Sequence, residues 1–349
     1  MQLHPLLNHP DAVLFYRRPV PPLPTADDFQ SAAIEALAAM RLELDGERVA
    51  LKPNVTSGER FADPDSGITT HPAFVGGIVR YVRSHGASAD GIYVIEDPHG
   101  DDTTPCHWRG TGYLEMAQET GAELICPVTP DVCVERTIPN PLVHAMRRVA
   151  RQAVAPHTVL INVPKLKTHN LGITTLCLKN LMGLVYVHER HYCDQAMTDL
   201  DPERKHRGQP RHEWMDAALH AQWQEGLARR LVDTARLVPP HLQVVEGIVG
   251  RDGTGFQRGN NYALGWVLAG INMVAVDAVA SYLMGFDPHE IIYLRVAAEA
   301  GLGPCDLARI IVYTVEGGDL VPCQDLGALR ALTPFRVIRG IREEGETLS

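Results

Sequence analysis

Thr158-Val159-Leu160-Ile161-Asn162-Val163-Pro164-Lys165-Leu166-Lys167-Thr168-His169 is the stretch that decides the fold. Its first six residues form an apolar run that is rich in β-branched side chains and closed by a proline, which is typical of a strand buried in a parallel sheet. In open α/β sheets, ligands bind at the carboxyl ends of such strands. We therefore expect the functional site around residues 165–169.

Lysine is scarce in this chain and unevenly placed. The sequence has five lysines: Lys52, Lys165, Lys167, Lys179 and Lys205. Three of them, at 165, 167 and 179, fall within fifteen residues. A lysine can hold an anion or lose its proton and act as a base, which arginine cannot do. Lys165, Lys167 and His169 alternate, so an extended segment would place them on one face. Together they would bind an anion and lower each other's pKa, although a solvated strand end is the alternative reading.

The sequence around this strand alternates between strand and helix patterns. Turn residues separate predicted strands at 48–52, 91–97, 123–126, 243–249, 263–269 and 310–314 from predicted helices at 27–41, 72–85, 111–120, 141–154, 213–237, 273–284 and 288–300. This order predicts an α/β fold in one or two lobes, with a mainly parallel twisted sheet covered by helices on both faces. We expect an N-terminal arm and helix (1–47), an α/β domain (48–320) with an insertion near 186–240, and a peripheral tail (321–349).

Composition excludes several classes of protein. The formal net charge is −10 and no basic stripe with interleaved aromatic residues is present, so nucleic acid is not expected as the main partner. No apolar run reaches the roughly twenty residues that a transmembrane helix needs, and residues 1–10 lack the pattern of a signal peptide, so no membrane partner is expected. The seven cysteines are scattered without a C-x-x-C pair, which predicts a reduced cytoplasmic protein without a ferredoxin-type cluster motif.

The glycine-rich segment 247–259 is not a dinucleotide-binding fingerprint, because no helix and acidic residue follow at the proper distance. No NAD motif is therefore predicted. A loop whose backbone amides cover an anion is the functional alternative to a plain turn.

Two groups of residues are candidates for a site at the strand ends. The predicted catalytic residues are His71, Lys167, His169 and Lys179. The predicted substrate-binding residues, which would hold the oxygen atoms of a carboxylate or phosphate, are Lys52, Asn54, Lys165, Thr174 and Asn180. Glu96, Asp97 and His99, which follow a predicted strand, would supply further carboxylate or imidazole groups.

A metal site is predicted at His188, His191 and Asp194. The two imidazoles are three residues apart and would share one face of a helix. With Asp194 or His169 they would suit a divalent transition metal such as iron, zinc or nickel. A polar surface helix in a histidine-rich segment is the alternative.

Several short motifs in order resemble the family called domain of unknown function 362. They span about residues 48–315 and comprise Lys52-Pro53-Asn54, Thr70-His71-Pro72, Val163 to His169, Leu178 to Gly183, Asp252 to Gly255, Val276 to Ala280, Leu283-Met284-Gly285 and Glu299 to Gly303. Many members of that family carry a ferredoxin-like cluster module, whose cysteine run this chain lacks. A looser similarity is to the nickel-pincer lactate racemase family. That likeness implies an acid/base role for His169 with His71, a cofactor-holding role for Lys179 and a nickel ligand at His188 or His191.

The expected function is metal-assisted acid/base catalysis of the isomerase or lyase type on a small anionic substrate. One alternative is an iron or iron–sulfur redox protein that uses Cys177 and Cys193. The other is a non-catalytic protein that binds a metal or an anion.

Overall fold

The computed structural model describes residues 1–56, 63–89, 91–98, 108–204 and 211–340. Its strands are β1 (Ala12–Arg17), β2 (Arg48–Pro53), β3 (Ile92–Ile95), β4 (Glu123–Ile125), β5 (Cys133–Thr137), β6 (Met146–Ala150), β7 (Thr158–Val163), β8 (Lys165–His169), β9 (Ile173–Thr175), β10 (Leu242–Arg251), β11 (Asn261–Gly270), β12 (Ile311–Glu316) and β13 (Asp319–Pro322). The described helices are α1 (Ala26–Ala39), α2 (Pro72–Ser84), α3 (Tyr113–Thr120), α4 (Cys177–Asn180), α5 (Tyr192–Thr198), α6 (Arg211–Met215), α7 (Ala217–Leu237), α8 (Met273–Met284) and α9 (Ile292–Glu299).

Eleven of the strands form one sheet around β7, as the apolar run predicts. The order is β13-β12-β1-β11-β10-β7-β2-β3-β4, and β8 pairs with β10 and β9 beside this path. Neighbouring strands from β10 to β4 are parallel. The carboxyl ends of β2, β3 and β7 therefore meet at one edge of the sheet, where ligands bind in such folds.

Helices cover both faces of this sheet. Along β7, Val159 and Ile161 point into a core that includes α1 and α2, whereas Leu160 points into a core that includes α7 and α8. A strand buried on both faces is apolar at every position, because neither set of alternating side chains meets water. The predicted α/β class, with a mainly parallel sheet and helices on both sides, is confirmed.

The first predicted segment, 1–47, contributes a strand that the sequence analysis did not anticipate. β1 runs antiparallel to β11 and parallel to β12, so it lies inside the sheet. The predicted tail likewise begins within β13, which pairs with β12. Residues of both terminal segments are thus part of the main sheet.

The predicted helix at 141–154 is wrong. This stretch contains β6, which pairs antiparallel with β5 in a separate two-stranded sheet. The backbone N–H groups of Leu142, Val143 and His144 donate to the carboxylate of Asp233 on α7. Because a tertiary partner takes these donors, the segment is held in a non-helical conformation.

Smaller differences concern the insertion and the cysteines. The predicted helix at 213–237 is interrupted at Asp216, whose side chain caps α7 by accepting from Ala218 N and Leu219 N. Cys126 is disulfide-bonded, so the expectation of a fully reduced chain is wrong at this position. Five other cysteines are free: Cys133, Cys177, Cys193, Cys305 and Cys323.

In the described ranges no helix has the length and apolar character to cross a membrane.

Candidate functional site

A cavity of about 310 Å³ lies at the carboxyl ends of β2 and β3 and beside β8. Residues that follow β2 and β3 line it, together with the last residues of β8, helix α4 and the start of α5. It collects seven of the predicted site residues: Asn54, Lys167, His169, Lys179, Asn180, His191 and Asp194. Five predicted site residues do not line it: Lys52, His71, Lys165, Thr174 and His188. His99 lies outside the described residues.

Lys167 is the most unusual group in this cavity. Its side chain is buried, and its Nζ donates to Thr56 Oγ1 over 2.9 Å and to the Ile68 carbonyl over 2.7 Å. The structure shows no carboxylate in an ion pair with it in the described ranges. Burial lowers its pKa well below the usual value, and the charges of Lys179, Lys165 and Arg251 lower it further. The surroundings of Lys167 therefore favour its uncharged amine form.

His169 faces the same cavity as a neutral hydrogen-bond donor. Its Nδ1 accepts from Leu171 N and Gly172 N, both over 3.1 Å. Because Nδ1 is an acceptor, the single ring proton must be on Nε2. Burial lowers the pKa of His169 well below 6.5, and the nearby Lys179 and Lys167 act in the same direction. The ring can thus donate from Nε2, but an Nε2–metal bond would require the loss of that proton.

Two other predicted lysines are already neutralised by ion pairs. Lys52 Nζ lies 2.6 Å from Glu96 Oε2, and Lys165 Nζ lies 2.6 Å from Glu246 Oε2. Both lysines are fully buried, and burial lowers the pKa of each against the attraction of its carboxylate. Of these four residues only Glu96 lines the cavity, so Lys52 and Lys165 hold strand ends in place and do not contact a ligand.

The cavity also contains donors that the sequence analysis missed. Arg190 is buried and forms an ion pair with Asp97, yet its Nη1 has no hydrogen-bond partner among the described residues. Trp214, only 2% exposed, has an Nε1 with no hydrogen-bond partner in the described part of the chain. Each unmet buried donor costs free energy until it finds an acceptor, so the two residues favour an anion in the cavity. An isolated arginine and a tryptophan near the start of the predicted helix at 213–237 gave no sequence signal for this role.

His71 is placed differently from the expectation of a second acid or base. It caps α2 through Nδ1, which accepts from Ala73 N over 3.1 Å, and its Nε2 lies 3.4 Å from Asp65 Oδ1. The ring stacks on Phe29 with 4.0 Å between the ring centroids. Burial is the main cause that lowers its pKa. Both ring nitrogens are thus used within the protein, away from the cavity.

Two predicted substrate-binding groups are engaged in the scaffold. Thr174 Oγ1 is within hydrogen-bond distance of Tyr293 (2.7 Å) and Ser281 (3.1 Å). Asn180 Nδ2 donates to the Lys52 carbonyl over 2.7 Å and to Asn162 Oδ1 over 2.8 Å. Asn180 therefore ties α4, which carries Lys179, to the ends of β2 and β7.

The carboxylate of Asp277 holds the first turn of α4. It accepts from Cys177 N over 2.7 Å and from Leu178 N over 3.1 Å. Asp277 is fully buried, and desolvation raises its pKa to about 7. Cys177 is buried against this carboxylate and does not line the cavity, so it acts as a small filler of the core.

The predicted metal ligands do not come together on a helix. His188 lies in a 3₁₀ turn (Val187–Glu189) with its ring against Tyr186, and His191 precedes α5. Within the described part of the chain, no three His, Cys, Asp or Glu side chains lie close enough to hold a metal ion. The donor set there does not fit a resident metal, so the reaction is derived from the side chains alone.

The glycine-rich segment does reach the site. Gly255 and Phe256 line the cavity, and Gly255 has a φ of +83°. A Cβ at Gly255 would lie 2.0 Å from the Thr168 carbonyl oxygen, so only glycine allows this close approach to β8. The segment supplies an aromatic wall to the cavity.

The chain belongs to the family described as Domain of unknown function (DUF362), whose pattern matches residues 49–282. The predicted membership is therefore confirmed over more than half of the chain. A relative is the "Thylakoid-associated protein sll1697" of Synechocystis sp. (strain ATCC 27184 / PCC 6803 / Kazusa), which is 25% identical over 260 residues. That match covers 74% of this chain and 70% of the relative.

Among solved structures, the chain is similar to the lactate racemase apoprotein from Thermoanaerobacterium thermosaccharolyticum, with 12% identity and a TM-score of 0.38. The match covers 76% of this chain, which spans 56% of the length of that structure. This agrees with the looser similarity stated from the motifs. At this level of likeness, no residue role is transferred from that protein.

Proposed function

We propose that this protein is an acid/base enzyme of the isomerase or lyase type, and that it acts next to the carbonyl group of a small organic anion. The observation that supports this most is that one cavity holds both Lys167, whose burial without an ion pair in the described ranges favours the uncharged amine, and His169, whose Nε2 can donate. Perturbed titratable groups gathered in a cleft are typical of catalytic sites.

The residues divide into binding and reacting groups. Lys179, Arg190 and Trp214 bind the carboxylate or phosphate of the substrate, since these three residues line the cavity. His169 donates from Nε2 to the carbonyl oxygen and stabilises the negative charge that develops there. Lys167 promotes loss of a proton from the neighbouring carbon, because an uncharged amine can accept that proton or first condense with the carbonyl.

The roles differ from those expected at first. His169 is a donor instead of a base, His71 has no part in the reaction, and a lysine replaces the metal as the reactive group. Redox chemistry at Cys177 and Cys193 has less support, since only Cys193 lines the cavity. Cytoplasmic location stays part of the proposal: five free thiols favour it, the disulfide of Cys126 opposes it, and cell fractionation would decide.

Proton exchange tests this function directly. The protein is incubated in D₂O with a panel of small oxo acids, hydroxy acids and phosphorylated carbonyl compounds, and deuterium incorporation is followed by NMR. We expect exchange at the carbon next to the carbonyl for members of one class. Lys167→Met should abolish it, and His169→Asn should slow it about 100-fold.

Two results would overturn the proposal. Exchange that continues unchanged in both variants would remove these residues from the reaction. Tight stoichiometric binding of an anion with no exchange in any compound would instead identify a non-catalytic binding protein.

A further inference from the structure

Three lysines are buried in this structure, and only one of them lacks an ion-pair partner in the described ranges. Lys52 and Lys165 each lie 2.6 Å from a glutamate oxygen. Lys167, which is 2% exposed, meets no carboxylate there and lines the cavity instead. A buried ammonium without a counter-charge is strongly disfavoured, whereas a buried amine is not.

The hydrogen bonds of Lys167 match an amine better than an ammonium. Nζ has two acceptors, the Ile68 carbonyl and Thr56 Oγ1. Thr56 can accept because its own hydroxyl donates to Asn54 Oδ1 over 3.0 Å. A neutral amine has two N–H groups, both satisfied here, and a lone pair at the remaining position; an ammonium would have a third N–H with no acceptor among the described residues.

We infer that Lys167 is a nucleophile that condenses with the keto group of a small 2-oxo acid to form an imine. This inference rests on the proposed function and names its substrate class and its covalent step. Lysines that are desolvated and lie near other cations are activated in this way, since the lone pair stays free at neutral pH.

The cavity favours a 2-oxo acid over other anions for three reasons. Lys179, Arg190 and Trp214, which line the cavity, carry hydrogen-bond donors for a carboxylate. His169 Nε2–H provides for the keto oxygen next to it. Phe256, with other apolar residues, provides an apolar wall for the remaining side chain. A cavity of about 310 Å³ suits a molecule of this small size.

The covalent step needs no oxidant, reductant or other co-reactant. The Nζ lone pair attacks the keto carbon, the C=O π electrons move to oxygen, and a proton passes from nitrogen to that oxygen. Thr56 Oγ1, which already accepts from Nζ, is the hydroxyl placed to carry this proton. The resulting carbinolamine loses one water molecule, leaving a C=N bond. Protonation of the imine nitrogen by solvent water gives an iminium, which makes the neighbouring C–H more acidic than the free ketone does; this is how the imine would serve the proposed proton removal.

Reductive trapping tests the inference on the full chain. The protein is incubated with pyruvate or with 4-methyl-2-oxopentanoate in the presence of sodium cyanoborohydride, and modified peptides are mapped by mass spectrometry. Because the chain has only five lysines, the adduct can be assigned to one of them. We expect a single adduct on Lys167, and none with lactate, which has the carboxylate but no keto group.

Matched variants give the control. Lys179→Met should leave the adduct on Lys167 but slow its formation, because a carboxylate donor is lost. Lys167→Met should remove the adduct. An adduct only on Lys179 or on the N-terminal amine, or no adduct with either oxo acid, would overturn the inference. Mapping on the unmodified sequence decides the question even if Lys167→Met does not fold.

The trapping result and the exchange result can disagree, which separates the two proposals. Deuterium exchange that depends on Lys167 without any trapped adduct would overturn the imine and keep the acid/base function, with Lys167 as the base. A trapped adduct on Lys167 without exchange would support the imine and overturn the proton-transfer function.

Discussion

Gly183 packs directly against the ion pair that Glu96 forms with Lys52. The distance from Lys52 Nζ to Glu96 Oε2 is 2.6 Å, and a Cβ added at Gly183 would lie 1.8 Å from that same oxygen and 2.6 Å from Lys52 Cε. The absence of a side chain at position 183 is therefore what allows the pair to form. The pair neutralises Lys52, whereas Lys167, which lines the cavity, has no ion-pair partner among the described residues.

Gly183→Ala should destabilise the fold by about 3 kcal/mol, because the new methyl group forces two buried charges apart. Urea denaturation of the variant measures this change. Gly226→Ala, in helix α7, is the control, since its Cβ would lie 3.2 Å from Ala196 Cβ and 3.6 Å from the Ala196 carbonyl oxygen, and the three nearest atoms belong to no charged group. Equal stability of the two variants would show that the Lys52–Glu96 pair does not depend on Gly183.

Removing one member of this ion pair should cost more than removing both. Lys52→Met leaves Glu96 buried without its counter-charge and should lower the free energy of unfolding by roughly 3–5 kcal/mol. Lys52→Met combined with Glu96→Gln removes both charges and should recover part of that loss. The two singles and the double form a cycle that denaturation can measure. A double variant that is less stable than either single would contradict the neutralising role assigned to the pair.

The two hydrogen-bonding ends of His169 can be separated by substitution. In His169→Asn the side-chain oxygen can replace Nδ1 as acceptor for Leu171 N and Gly172 N, but no group replaces Nε2–H. We expect near-normal stability and an exchange rate about 100-fold lower. In His169→Gln the amide can reach the position of Nε2, but the acceptor for the loop is lost, so stability should fall more and the rate less. An exchange rate that falls more in His169→Gln than in His169→Asn would show that the cavity does not use Nε2–H.

Asp277 should give the protein a pH-dependent stability between about pH 4 and pH 7. Its pKa in the folded protein is about 7, raised by desolvation from 3.8. A raised pKa means that the folded state binds a proton more tightly than the unfolded chain, so this contribution is present below pH 4 and is lost as the pH rises to 7.

Asp277→Asn should remove this component, because an amide does not titrate; its single oxygen keeps the acceptor for Cys177 N, and the acceptor for Leu178 N is lost at every pH. The free energy of unfolding of the unmodified protein should fall relative to that of the variant by roughly 4 kcal/mol between pH 4 and 7. Urea denaturation at several pH values measures this difference. A constant difference across that range would contradict it.

Local sequence pattern was enough to predict the fold class and the place of the site. The apolar run before Pro164 predicted β7 correctly. The clustering of the few lysines indicated Lys167 and Lys179 as site residues, and both line the cavity. These signals are local: a two-sided buried strand and a cluster of one rare residue type can be recognised within a short window.

What the sequence could not supply was the pairing of side chains across the chain. Lys165 and Lys167 alternate, yet one is neutralised by Glu246, 81 residues away, and the other is not. The pairing of β8 with β10 has an irregular register between Glu246 and Arg251, so simple alternation did not predict which lysine faces the cavity. Similarly, residues 141–154 have the pattern of a helix. Nothing within that segment indicates that its backbone N–H groups donate to Asp233, which is about 90 residues away.

The unpartnered donor of Trp214 provides the last test, because its role can be separated from packing. Trp214→Phe removes Nε1–H and keeps an aromatic ring beside Trp223, whose ring centroid lies 5.5 Å away. Removing a buried donor that has no acceptor should leave stability unchanged or slightly higher. If that donor binds the ligand carboxylate, affinity for pyruvate should fall about tenfold, the equivalent of roughly 1.4 kcal/mol. Calorimetric titration of pyruvate into both proteins measures this change.

Trp223→Phe is the matched control, since Trp223 does not line the cavity and its replacement should not weaken binding. Unchanged affinity in Trp214→Phe would remove Nε1 from the anion site, and an equal loss in both variants would assign the effect to packing of the aromatic cluster.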